Sequence, residues 1–383
     1  MVFMKLTDRA KWGIATVAIP ILAAALLYVY AIVPEKEDIP PATGEVREVT
    51  PSWVDRALSA YYERKTDEPI VAIIRQEYPA QTGAISPDGK YIATGGSIIR
   101  DTEISSIAEK RVVRELAINS GNVLAVAFSP DGRYLATGRG FMANIRHNES
   151  VEIWDVQSGR LIRTLPGPAG PEKIENDVTA LAFSPDSRSL VVSYSPQPDK
   201  GNSVHLFDLS NGERVLVFHP SRAAAGRFFF FNGGNYLGYE DFGGNFNLHE
   251  LNTGNRKQQL PEIGICALSP DGQYLAARSN IEQHLRIIDR KTGREVRVLD
   301  TGKGYYRVLA YSPDGRYLAV NSDDGLLLWD LSAGRIVRQL KGHPDVVGNW
   351  IGFDAEGKYF AAVCNKYVVV WDFKKLISAK QSN

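Results

Sequence analysis

The side chains best able to do metal or covalent chemistry in this sequence are six histidines and two cysteines. They are dispersed: His147, His205, His219, His249, His284 and His343, with Cys266 and Cys364. A zinc, haem or iron site needs several such ligands at fixed short spacings, as in HExxH or CxxCH, and neither occurs. No P-loop, no GxGxxG after a strand and no GxSxG elbow is present. The expectation is a protein that is not an enzyme, with no catalytic residue, no metal ligand and no cofactor. Residues suited to partner recognition are better grouped. Phe141, Met142, Arg146, His147 and Glu149 share one loop-like stretch and Tyr194 falls in another. Aromatic, Met and Arg side chains are enriched at protein interfaces, so Phe141, Met142, Arg146, His147 and Tyr194 are the candidate partner-binding residues. The competing reading is that both stretches are tolerated insertions.

Repeated elements must position these loops. The segment Ala84-Ile-Ser-Pro-Asp-Gly-Lys-Tyr-Ile-Ala returns with small changes from Ala127, Ala182, Ala267 and Ala310, with degenerate copies from Phe229 and Gly352. The proline slots, Pro87, Pro130, Pro185, Asn232, Pro270, Pro313 and Ala355, are 43, 55, 47, 38, 43 and 42 residues apart, which makes seven units. Pro presets φ, Asp bonds its own backbone and Gly takes the left-handed position, so each copy reads as a hairpin turn between β-formers. A second strand signal follows in five units, from Val151, Val204, Leu285, Leu326 and Val368, as in Val151-Glu-Ile-Trp-Asp or Val368-Val-Val-Trp-Asp. Then come a Gly turn and a last short strand such as Arg335 to Leu340. Each unit is four antiparallel strands, a to d.

Residues 69–373 therefore resemble the WD-repeat family of β-propellers. Trp154-Asp155, Trp329-Asp330 and Trp371-Asp372 carry the naming dipeptide, and Gly342-His343 is one copy of the family's Gly-His pair. No unit holds the full bracing set of His and Asp, so the resemblance is to a divergent member. It implies an all-β, seven-bladed β-propeller. The seventh unit ends at its third strand. Ile70 to Arg75 reads as the missing fourth strand, closing the last blade from the N-terminal side. Cys266 and Cys364 then fall in blades that are not neighbours, and read as buried free thiols. His205 and His249 occupy strand c, where local hydrogen bonding is expected, and Phe228 to Phe231 reads as inner-strand core. Asn148-Glu149-Ser150 is a chance glycosylation sequon. The b–c loops of blades one to three and the connection Pro166 to Asp177 read as longer than those of blades six and seven, enlarging one rim on one side.

Residues 12–33 are apolar and uncharged, about 33 Å as a helix. Lys5, Arg9 and Lys11 precede them and Glu35, Glu37 and Asp38 follow. This predicts a retained transmembrane signal anchor with its N-terminus in the cytoplasm and the propeller extracytoplasmic, in the periplasm. A cleaved signal peptide ending near Ala23 to Ala25 is the alternative. Residues 34–68 read as a Pro-rich spacer with a short amphipathic helix from Ser52 to Arg64, and 374–383 as a tail. Beyond the span, Lys plus Arg number 41 and Asp plus Glu 43, so no basic field exists to hold a nucleic acid. The expected function is a membrane-anchored scaffold whose rim loops dock protein partners, subunits of a membrane complex or their soluble partners. The alternative is a propeller enzyme or ligand or metal sensor using the central channel.

Overall fold

The computed structural model describes residues 46–47 and 68–378, apart from 78, 97–101, 117–121, 141–148, 169–176, 198–200, 221–223, 279–283, 301–305, 323–324, 341–349 and 365. The expected membrane span (12–33) and the helix expected from Ser52 to Arg64 lie outside these. Among the described residues no helix is long and apolar enough to cross a membrane.

Seven antiparallel sheets are found among the described residues. Blade one is Ala80–Ile85, Tyr91–Gly96, Thr102–Ser106 and Arg111–Leu116; blade two is Asn122–Phe128, Tyr134–Gly140, Glu149–Asp155 and Leu161–Pro166. Blade three is Val178–Phe183, Ser189–Gln197, Gly201–Asp208 and Arg214–Phe218; blade four is Ala224–Phe231, Tyr236–Asp241, Phe246–Glu250 and Arg256–Leu260. Blade five is Cys266–Leu268, Tyr274–Arg278, Leu285–Asp289 and Glu295–Leu299; blade six is Tyr306–Tyr311, Tyr317–Ser322, Gly325–Asp330 and Arg335–Leu340. Blade seven takes Trp350–Phe353, Tyr359–Cys364 and Tyr367–Asp372 from the C-terminal side and Ile70–Arg75 from the N-terminal side. The first strand of blade seven packs on that of blade one, so the sheets close into a seven-bladed propeller.

The closing strand is where the sequence places it. Ile70 pairs with Trp371, Ala72 with Val370 and Arg75 with Tyr367. Ala72, Ile73 and Ile74 are buried, and each such aliphatic side chain larger than alanine contributes roughly 1.5–3 kcal/mol. The Trp371 indole N–H donates to Glu68 at 2.9 Å, pinning the start of the strand.

The repeated turn shows why Ser, Asp and Gly recur. In blade one the Ser86 hydroxyl accepts from the Tyr91 N–H at 2.9 Å and the Asp88 carboxylate accepts from the Lys90 N–H at 3.1 Å. Gly89 adopts φ 67°, which costs other residues about 1–2 kcal/mol. The same bonds recur around Ser129, Ser184, Ser269 and Ser312. In the degenerate seventh copy Asp354 replaces the serine, accepting from the Tyr359 N–H at 2.7 Å.

Three features were not legible beforehand. Val46–Arg47 pairs with Leu116 and Glu115, adding a fifth strand to the outer edge of blade one. A short helix, α1 (Phe373–Ser378), follows blade seven. Its Phe373 ring meets Tyr317 edge-on at 5.5 Å and Phe353 at 4.8 Å, and its Leu376 carbonyl accepts from Arg338 at 2.7 Å. The strands of blade three run through Gln197 and resume at Gly201, leaving a shorter connection than the long b–c loop expected for that blade. Phe228 is buried and Phe229, Phe230 and Phe231 are partly so, packed into the core as expected.

Candidate functional site

Of the candidate partner-binding residues, Phe141, Met142, Arg146 and His147 lie between Gly140 and Glu149, outside the described residues. Tyr194 does not belong with them. It sits in strand b of blade three opposite Ser203, fully buried among Val178, Leu181 and Phe207. The strand continues past it, irregularly, to the Gln197–Gly201 pair, so Tyr194 is a core residue of the strand rather than a loop residue. Loop lengths need a second correction. The connections from Pro166 to Val178 and from Leu340 to Trp350 are both long, so long rim connections are not confined to one side.

What does divide the ring is one register position inside strand c, two residues before the Trp-Asp slot. In blades one to five it holds Glu103, Glu152, His205, Asn247 and Arg286. In blades six and seven it holds Leu327 and Val369. Their strand b partners are Thr94, Thr137, Val192, Tyr239, Ala277, Val320 and Ala362, the same rung of every ladder. All but Arg286 are buried.

A buried polar group must find partners, and each of these does so locally. Glu103 accepts from the Glu77 N–H at 3.0 Å. Beside it Gln76 donates to Ser105 at 3.2 Å and accepts from Thr94. Glu152 is paired with Arg139, and Thr137 lies between Glu152 and the Trp154 indole N–H, which donates to it at 3.2 Å. The side-chain amide of Asn247 donates to Asp241 at 2.9 Å. Arg286 donates to the Glu262 carbonyl at 3.1 Å.

The two strand histidines behave as local structure, as expected. His249 stacks on Phe218 at 4.5 Å, contacts the Tyr239 hydroxyl at 3.2 Å and lies 3.0 Å from the Gly254 carbonyl. His205 leans on the Tyr194 ring at 4.8 Å. Burial, then the nearby Arg214 and His219, push its pKa down to about 4, so it is neutral at physiological pH. Cys266 and Cys364 are buried thiols, not joined in a disulfide, in the two strands assigned to them.

The arrangement fixes geometry rather than presenting reactive groups. Arg139 stands one residue from the end of strand b, and Glu152 lies near the start of strand c. Their ion pair therefore ties together both ends of the loop carrying Phe141, Met142, Arg146 and His147. Loops held at both bases lose little entropy on binding.

Two sets of residues escaped the sequence reading. One is an inter-blade clamp from the outer strands. Arg114, Arg163, Gln258 and Arg338 each donate to backbone carbonyls of the following blade or of α1, at 2.6–2.8 Å, and Arg297 does so to Leu331. The other is Arg227, on the first strand of blade four. Its guanidinium crosses the ring to donate to the carbonyl of Leu309 in blade six at 3.3 Å and of Ile351 in blade seven at 2.8 Å.

Compared with known families, the chain matches the model described as WD domain, G-beta repeat, over residues 110–155, 159–208, 293–330 and 334–372. Each match begins at the outer strand of one blade and ends with the third strand of the next. The repeat is thus offset from the blade, which is why the last blade must borrow its fourth strand from before the first. No curated protein matches the chain.

Proposed function

We propose, from the premise that the chain is a seven-bladed WD40-repeat propeller, that it is a membrane-tethered scaffold displayed on the extracytoplasmic side. Propellers with these repeats serve in general as protein-interaction scaffolds. The observation that carries the finer reading is the buried Arg139–Glu152 pair beneath the loop of Phe141, Met142, Arg146 and His147. The pair joins the strand ends that flank that loop, and the apolar segment 12–33 confines the propeller beside membrane neighbours, raising their effective concentration. The partners are subunits of a membrane complex or their soluble domains. They are bound without catalysis, and the propeller stands in the periplasm.

The test is topological. An epitope after Asn383 on the full chain should be labelled by a membrane-impermeant reagent in intact cells with a permeabilised outer envelope. Labelling only after lysis of the inner membrane would overturn the extracytoplasmic placement.

A further inference from the structure

We propose that Arg227 is a releasable strut across the propeller channel, seated on the Leu309 and Ile351 carbonyls while Glu240 is protonated and drawn off them when Glu240 ionises. The first strand of each blade ends its ladder, so some of its backbone groups face the channel with no further strand to bond them. Arg227 satisfies two such carbonyls on blades six and seven, neither adjacent to its own. Carbonyls accept its hydrogen bonds but leave its positive charge uncompensated, which makes the guanidinium responsive to any anion that forms beside it.

Glu240 is the group placed to become that anion. It lies in strand b of blade four, next to Tyr239 where the ladder to the first strand is irregular, and within electrostatic reach of Arg227. Its carboxyl accepts from the Cys266 N–H of blade five at 2.8 Å. The titratable groups facing it are Arg227 from the first strand, Asp241 on its own strand and the Cys266 thiol of blade five; the third strand sets Phe246 opposite it. Burial pushes its pKa up to about 7, outweighing the Cys266 hydrogen bonds and the nearby Arg227. Protonated, it competes weakly for the guanidinium. Ionised, it offers charge-assisted bonds roughly twice as strong as those to neutral carbonyls. The sign follows: a carboxyl whose folded pKa stands above its ordinary value of 4.5 favours the folded state at low pH. That contribution is lost as pH rises toward about 7, and the tie between blade four and blades six and seven loosens with it.

Hydrogen exchange on the full chain in detergent tests this at about pH 5.5 and about pH 8.5, corrected for intrinsic rates, in segments 306–311 and 350–353. The wild type should lose protection there by about tenfold at the higher pH, the equivalent of one pKa unit of coupling, while the outer strand 335–340 stays unchanged. Glu240→Gln keeps the acceptor for Cys266 without the charge and should be protected equally at both pH values. Arg227→Met should be poorly protected at both. A wild-type chain with no pH dependence in these segments overturns the proposal, as does a Glu240→Gln variant that keeps the wild-type loss. The second comparison stands even if Arg227→Met does not fold.

Discussion

Blades two and seven share one ladder and one Trp-Asp pair, yet two residues before the tryptophan one carries Glu152 and the other Val369, 1% and 0% exposed. The backbone is the same and the interiors are of opposite kinds. Blade seven is filled by Ala362, Val363, Val368, Val369 and Val370, where burial alone stabilises. Blade two spends stability on an ion pair whose desolvation offsets most of its attraction. What it gains is a fixed base for the loop above. The blade that seals the ring is apolar, and blades that bear the candidate loops are polar inside, which separates closure from display within one repeated fold.

The largest effect should come from the closing side. Deleting residues 69–76 removes the Ile70–Arg75 strand and should abolish cooperative unfolding followed by far-UV circular dichroism; an unchanged melt would refute the closure. Next in size, Glu152→Ala leaves Arg139 buried without its partner and should cost about 3–5 kcal/mol in chemical denaturation. Replacing both, Arg139→Met with Glu152→Leu, should be near neutral or stabilising while impairing any loop-dependent binding. Should the double change cost as much as the single one, the pair is a stabiliser and the contrast with blade seven fails. In that blade Val369→Ala should cost roughly 2 kcal/mol through lost burial and have no effect on binding.

Acid sharpens the same contrast. His205 is held neutral with its pKa near 4, below its ordinary 6.5, so folding stability is complete above 6.5 and falls as pH drops toward 4. Melting temperature against pH should show this decline in the wild type and a shallower one in His205→Phe; identical curves would exclude His205 as a contributor. The outer clamps come last. Arg163→Ala or Arg297→Ala, each removing an exposed donor to a neighbouring blade, should lower the melting temperature by about one or two degrees.

Local rules made much of this legible from the chain alone. Ser-Pro-Asp-Gly turns, the Trp-Asp slot and the strand Ile70–Arg75 all act through residues adjacent in sequence or by a fixed repeat, so spacing reveals them. The polar rung was readable too, at a constant offset from the dipeptide, but only by comparing blades position by position. Tyr194 was misplaced because a polar stretch following it, Ser195-Pro196-Gln197, reads as loop although the ladder extends through it. Arg227 had no local signal. Its partners lie 82 and 124 residues away, and an arginine on an apolar strand becomes intelligible only when the ring closes around it. Helix α1 was missed for a related reason: Phe373 and Leu376 acquire their partners from blades six and seven.

The most direct test of the scaffold reading is capture of the full chain, anchor intact, from membranes dissolved in mild detergent. Wild type is compared with Phe141→Ala combined with Arg146→Glu, and with Lys366→Glu in the tight turn of blade seven. A discrete partner set that persists with Lys366→Glu and disappears with the paired change is the predicted result. Equal recovery from all three chains would contradict it.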